Sequence, residues 1–169
     1  MTQATMTSAT PQLPDPTTAP QLFEGVLTRR VVAYLIDLVP IALLTVVFGF
    51  VSLILGFFTF GLAWLGLIVV VPLALIAYYT FTLGSPQRAT WGMRMMDLVL
   101  TPTRGTRLDG AMAFLHALIF YVTFWISWPI SLLFALFTPR RQMIHDLLTG
   151  TLMLRRSPME AHWRRFQDQ

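Results

Sequence analysis

The sequence predicts an all-α integral membrane protein, a small helical bundle with two spanning helices and a third apolar segment that is bent or re-entrant. Three observations lead there. Of the 169 residues, 55% are hydrophobic and 12% charged, about half the charge content of an ordinary soluble domain. No Asp, Glu, Lys or Arg occurs in residues 38–87 or 110–139, so two uncharged tracts far exceed the roughly 20 residues that a spanning helix requires. The arginines gather at the borders of those tracts, where positive charge sets membrane orientation.

Residues 1–22 contain TSATPQLPDPTTAPQ. They hold too few apolar side chains to offset the entropy of ordering, and a disordered tail is expected. This stretch lacks the basic start and apolar core of a secretory signal, so no cleavage is expected. Cysteine is absent, which excludes disulfides, thiol catalysis and thiolate metal sites. All twelve basic residues are arginine, which excludes Schiff-base or nucleophilic lysine chemistry. The net charge is +4, but the arginines sit beside apolar tracts, so the expected partner is the lipid bilayer and no nucleic acid is expected.

The first apolar segment, residues 31–57, and the second, residues 62–83, are each long enough to cross once. Their connection, FFTFG, is uncharged, whereas Arg29 and Arg30 precede the first and Arg88, Arg94, Arg104 and Arg107 follow the second. The positive-inside rule then puts both outer ends of the hairpin, and the N-terminus, in the cytoplasm. Pro40 and Pro72 are tolerable inside membrane helices, where neighbouring helices satisfy the freed carbonyls.

The third segment, AMAFLHALIFYVTFWISWPISLLFALF at residues 111–137, would make a straight helix of roughly 40 Å. That is too long for one untilted crossing and too short for two. A single crossing would also leave Arg140, Arg141, Arg155, Arg156, Arg164 and Arg165 outside, against the orientation bias. A bend at Ser127, Trp128 and Pro129, with return to the cytoplasmic face, is favoured over a tilted single crossing. Domain limits follow: residues 1–22 a tail, 23–155 the membrane domain, 156–169 a basic, loosely ordered tail.

Residues 84–110 read as interfacial, with Trp91, Met93, Met95, Met96, Leu98 and Leu100 available to lie against headgroups. The stretch RRQMIHDLLTGTLMLRR reads similarly, with Ile144, Leu147, Leu148 and Thr151 on one helical face and Gly150 able to end the helix. Asp37 is the most informative residue. It lies about two turns into the first helix, where a bare carboxylate is costly and needs a partner or water. Arg30 lies seven residues back, about 10 Å along the axis, so an arginine from another segment, such as Arg94, is an equally good candidate.

The order RRVVAYLID, GSPQRATWGMRMMDLVL and RRQMIHDLLTGTLML resembles the RDD family of small multi-pass bacterial membrane proteins, over about residues 25–155. The resemblance implies a motif arginine at Arg30 and motif aspartates at Asp37 and Asp146, and a bacterial inner-membrane location. Two departures stand out: His116 occupies the place where members commonly carry an arginine, and Ser85-Pro86-Gln87-Arg88 replaces the usual Thr-Pro-Gly-Lys type of turn. What the resemblance implies about function is broad: transport of an unknown ligand, cation/proton exchange, or scaffolding of membrane complexes.

The charge network expected to matter is therefore Arg30, Asp37, Arg94, His145 and Asp146. Two roles fit it. In one, the bundle, alone or as a homo-oligomer or with another membrane protein, moves a cation, proton or small solute while Asp37 changes protonation. In the other, the charges only fix helix packing in an accessory protein. A metal site assembled from His116, His145, Asp37 and Asp146 has suitable ligand types without a diagnostic spacing, so no metal and no cofactor are expected. Nucleophile elbows, phosphate loops and paired catalytic carboxylates are absent, so no enzyme is expected.

Overall fold

A computed structural model describes residues 14–103 and 108–167. The first helix, α1 (Val26–Phe58), starts at Gly25, whose φ of 65° lies in the left-handed region that glycine tolerates. Its buried residues Val26, Arg30, Ala33, Asp37 and Ile41 recur at three or four positions and so form one helical stripe. Two of the three ionised groups of α1, Arg30 and Asp37, lie on that stripe. The opposite face exposes Leu35, Val39, Leu43, Val46 and Phe50, a surface suited to lipid.

The chain returns through α2 (Gly66–Leu83), which buries Val70, Ala74, Leu75, Tyr78, Tyr79 and Leu83. α4 (Gly110–Phe137) packs against α2 and is capped by Asp109, whose side chain accepts from the Met112 amide at 2.9 Å. Its helical geometry breaks at Ser127, with φ −158° and ψ 45°, two residues before Pro129, which has no amide donor. The bend falls where the sequence places it. α4 starts against Gly84 at the end of α2, and its far end, Leu136 with Pro139 and Arg141, shares a cleft with Gly25, Leu27 and Thr28 at the start of α1. Both ends of α4 thus lie on one side of the bundle. Three stretches, Pro20–Phe58, Leu62–Leu83 and Gly110–Ser127, are long and apolar enough to cross a membrane.

A small cap covers that side. It comprises α3 (Trp91–Met95), β1 (Leu98–Pro102), α5 (Ile144–Thr149), β2 (Thr151–Arg155) and α6 (Arg156–Gln167). The strands pair antiparallel, Leu98 opposite Arg155 and Pro102 opposite Thr151. This corrects the wholly interfacial reading of residues 84–110: Met93, Leu98 and Leu100 are buried, and only Trp91 and Met95 are strongly exposed. Thr151 is likewise no part of a helical face. Gly150, at φ 63°, ends α5 and Thr151 opens β2. Pairing between strands fifty residues apart leaves no trace in local periodicity.

Ordered structure occurs within both expected tails. Residues 1–13 of the expected N-terminal tail, like Arg104 and Arg107, lie outside the described residues. Ala19 and Leu22, however, are buried in a second apolar cluster with Phe23, Val99, Leu152 and Leu154, because the sheet offers an apolar face that the short Pro20–Leu22 turn covers. At the other end, residues 156–167 form a helix rather than a loose tail. Asp97 anchors it, with Oδ1 accepting from the Ser157 amide at 2.9 Å and hydroxyl at 2.6 Å.

Candidate functional site: two buried aspartates and a cavity

Asp37, 1% exposed, is held by neutral donors. Its Oδ1 accepts from the Tyr78 hydroxyl at 2.6 Å and the Gly92 amide at 2.8 Å, and its Oδ2 accepts from the Thr90 hydroxyl at 2.6 Å. Thr90 also caps α3, accepting from the Met93 amide, and the Trp91 amide donates to the Tyr78 oxygen. One carboxylate therefore ties α1, α2 and α3 together. Gly92 makes this geometry accessible, since a Cβ there would lie 2.1 Å from the Ala33 carbonyl oxygen. Only glycine lets the α3 backbone reach α1.

The expected arginine partner of Asp37 is thus corrected. Among the described residues Asp37 makes no ion pair. Arg94 donates instead to the Ala89 carbonyl and the Gln87 side chain. Arg30, two stripe positions closer to the cap, turns to Asp146, because a seven-residue offset along α1 is too long a reach to Asp37.

The Arg30 and Asp146 pair is closed at 2.5 Å between Nη1 and Oδ2, with side chains 5% and 0% exposed. The Met143 amide donates to the same Oδ2 at 3.1 Å. Asp146 Oδ1, Arg30 Nε and Arg30 Nη2 are buried without a hydrogen-bond partner among the described residues. His145 Nε2 stands 3.6 Å from Oδ1, beyond ordinary hydrogen-bond length. Burial alone would raise the Asp146 carboxyl, but Arg30, His145 and His116 together outweigh it and hold the group down at about 2. Burial pushes the His145 imidazole below its ordinary range, against the opposing pull of Asp146.

His116, on α4, faces the same cluster. Its ring stands edge-on to that of His145, 5.2 Å between centroids, and its Nδ1 is 3.0 Å from the Thr149 hydroxyl. A cavity of about 370 Å³ is lined among others by Arg30, Tyr34, Asp37, His116, Phe120 and His145. Its walls are largely aromatic, with Phe120 packed on Tyr34, Tyr79, Phe124 and His145. The structure so brings Arg30, His145 and Asp146 into one cluster and sets Asp37 in another.

The RDD family model matches residues 25–150. The chain belongs to the RDD family. It is an RDD membrane protein with apolar helices, and the matched span contains Arg30, Asp37 and Asp146. No curated protein and no solved structure gives a significant match. Tyr78, Thr90, Gly92 and Thr149 completed this RDD site without being singled out from the sequence. Uncharged donors within apolar or loop stretches look ordinary until a carboxylate is placed beside them.

Proposed function

We propose that this RDD protein is a non-enzymatic carrier that moves a proton or another cation, with exchange at the cluster of Arg30, Asp146, His145 and His116. The observation that supports it is the spare bonding capacity of the Arg30 and Asp146 pair beside a cavity, since native interiors rarely leave buried polar atoms unpartnered. Asp37, saturated by three donors, serves as the strut that holds the cap on the bundle. Arg30 acts as the countercharge that closes on Asp146 when no exchanging cation is present. In this reading the protein sits in the bacterial inner membrane with its N-terminus, residues 84–110 and C-terminus in the cytoplasm, on the strength of the flanking arginines. A second copy or another membrane protein would supply the remainder of an aqueous path, because three apolar helices enclose little space.

The test is flux into proteoliposomes holding the purified full chain. Asp146→Asn should abolish pH-coupled flux with insertion preserved, and a C-terminal reporter should lie on the cytoplasmic side. A second reading, a scaffold whose charges only lock the helices, draws on the complete satisfaction of Asp37. A well-folded wild type that is inactive across a broad ion and solute screen would establish that reading instead.

A further inference from the structure

We propose that the imidazoles of His116 and His145 and the carboxylate of Asp146 form a binding site for one divalent transition-metal ion of the zinc or cobalt class. One ligand atom from each residue lies within 4.8 Å of the other two, and all three residues are buried. No diagnostic spacing marks such a site along the chain; the fold gathers three of its four candidate ligands and leaves Asp37 elsewhere.

Hydrogen-bond accounting shows what these atoms present to one another. The Thr149 hydroxyl gives its single proton to the His145 carbonyl at 2.7 Å, so at 3.0 Å it accepts from His116 Nδ1. Thr151, 3.0 Å from the Thr149 oxygen, donates to it as well. His116 therefore carries its proton on Nδ1 and keeps a lone pair on Nε2. Asp146 spends Oδ2 on Arg30 and the Met143 amide and leaves Oδ1 bare. Asp146 Oδ1 is thus a buried acceptor without a donor among the described residues, in a cluster where two imidazoles each offer a ligand atom, an arrangement that a cation relieves.

The donor set selects the ion. Imidazole nitrogen with one carboxylate suits zinc, cobalt, nickel or iron, whereas sodium, magnesium and calcium prefer oxygen alone. Three protein ligands, of which His116 and His145 line the cavity, leave a fourth position for water. Thr149 orients His116 as an outer-shell partner does for a metal-bound imidazole. Arg30 opposes the ion, since its guanidinium shares Asp146.

The site rests on the same cluster as the carrier reading but is measured without flux. Untagged full-length protein in detergent is titrated with Co²⁺ and followed by its ligand-field absorption, with Zn²⁺ as competitor. One Co²⁺ per chain, displaced by Zn²⁺, is expected. His116→Gln and Asp146→Asn should abolish the bands, Thr149→Val should weaken binding about tenfold, and Arg30→Gln should tighten it. His162→Gln, which removes the third histidine of the chain, should change nothing. His116→Gln leaves the Arg30 and Asp146 pair intact, so it decides the matter if Asp146→Asn fails to fold. Absence of stoichiometric Co²⁺ binding, or bands that survive His116→Gln, would overturn the site. Metal binding without flux would uphold it while defeating the carrier, and flux without metal binding would do the reverse.

Discussion

Asp37 and Asp146 are both buried carboxylates at the capped end of the bundle, yet their surroundings differ in kind. Asp37 meets three uncharged donors from two other elements. Asp146 meets one guanidinium and one amide and keeps an oxygen unpartnered, and its partner Arg30 lines a cavity that Asp37 also lines. The contrast separates two uses of a buried charge. A carboxylate surrounded by fixed neutral donors fastens structure, because releasing it would strand every donor at once. One balanced by a single guanidinium, with an oxygen left over, retains capacity for exchange.

The largest expected effect breaks the fastened side. Asp37→Ala strands the Tyr78 and Thr90 hydroxyls and the Gly92 amide, and should destabilise the protein by about 4–5 kcal/mol, since bonds to charged groups contribute about 1.5–3 kcal/mol each. Thermal unfolding in detergent measures this, and a loss under 1 kcal/mol would remove Asp37 from its structural role. Next comes the paired side. Asp146→Leu leaves Arg30 as a lone buried cation and should cost about 3–5 kcal/mol, whereas Arg30→Met combined with Asp146→Leu should recover most of that loss. Additive effects in this cycle would mean that the pair is not coupled.

A smaller effect tests the approach of α3 to α1. Gly92→Ala drives a methyl into the Ala33 carbonyl and should cost about 2–3 kcal/mol, while Gly49→Ala, which meets open space, should cost almost nothing. The smallest separates the two aspartates by pH. The folded Asp146 carboxyl lies at about 2 against an ordinary 3.8, so its stabilisation is present above 3.8 and is lost as pH falls through about 2. That window holds about 2 kcal/mol. His145, depressed from 6.5, adds loss in the same direction below that pH, because the unfolded chain binds the proton more readily. Asp146→Asn should flatten the acid limb between pH 4 and 2, and an unchanged limb would place the proton elsewhere.

Some of this architecture was legible because it follows from local chemistry. The uncharged tracts specified the membrane helices, and Pro129 with an overlong apolar run specified the bend at Ser127. Arg30, Asp37 and Asp146 stood out because ionised residues are scarce in such a chain. The partner of Asp37 was not legible. Arginine is the obvious counterion in sequence, whereas the hydroxyls of Tyr78 and Thr90 carry no charge that would mark them.

By itself the sequence determined a membrane bundle of the RDD type, because hydropathy, helix length and flanking charge act over stretches that can be read one at a time. Only the tertiary structure decided that Arg30 belongs to Asp146, that Asp37 is closed by neutral donors, and that two distant strands form a cap. Those outcomes depend on which atoms arrive within about 3 Å of each other. Residues 30 and 146 meet only because α4 turns back and brings α5 beside the first turns of α1.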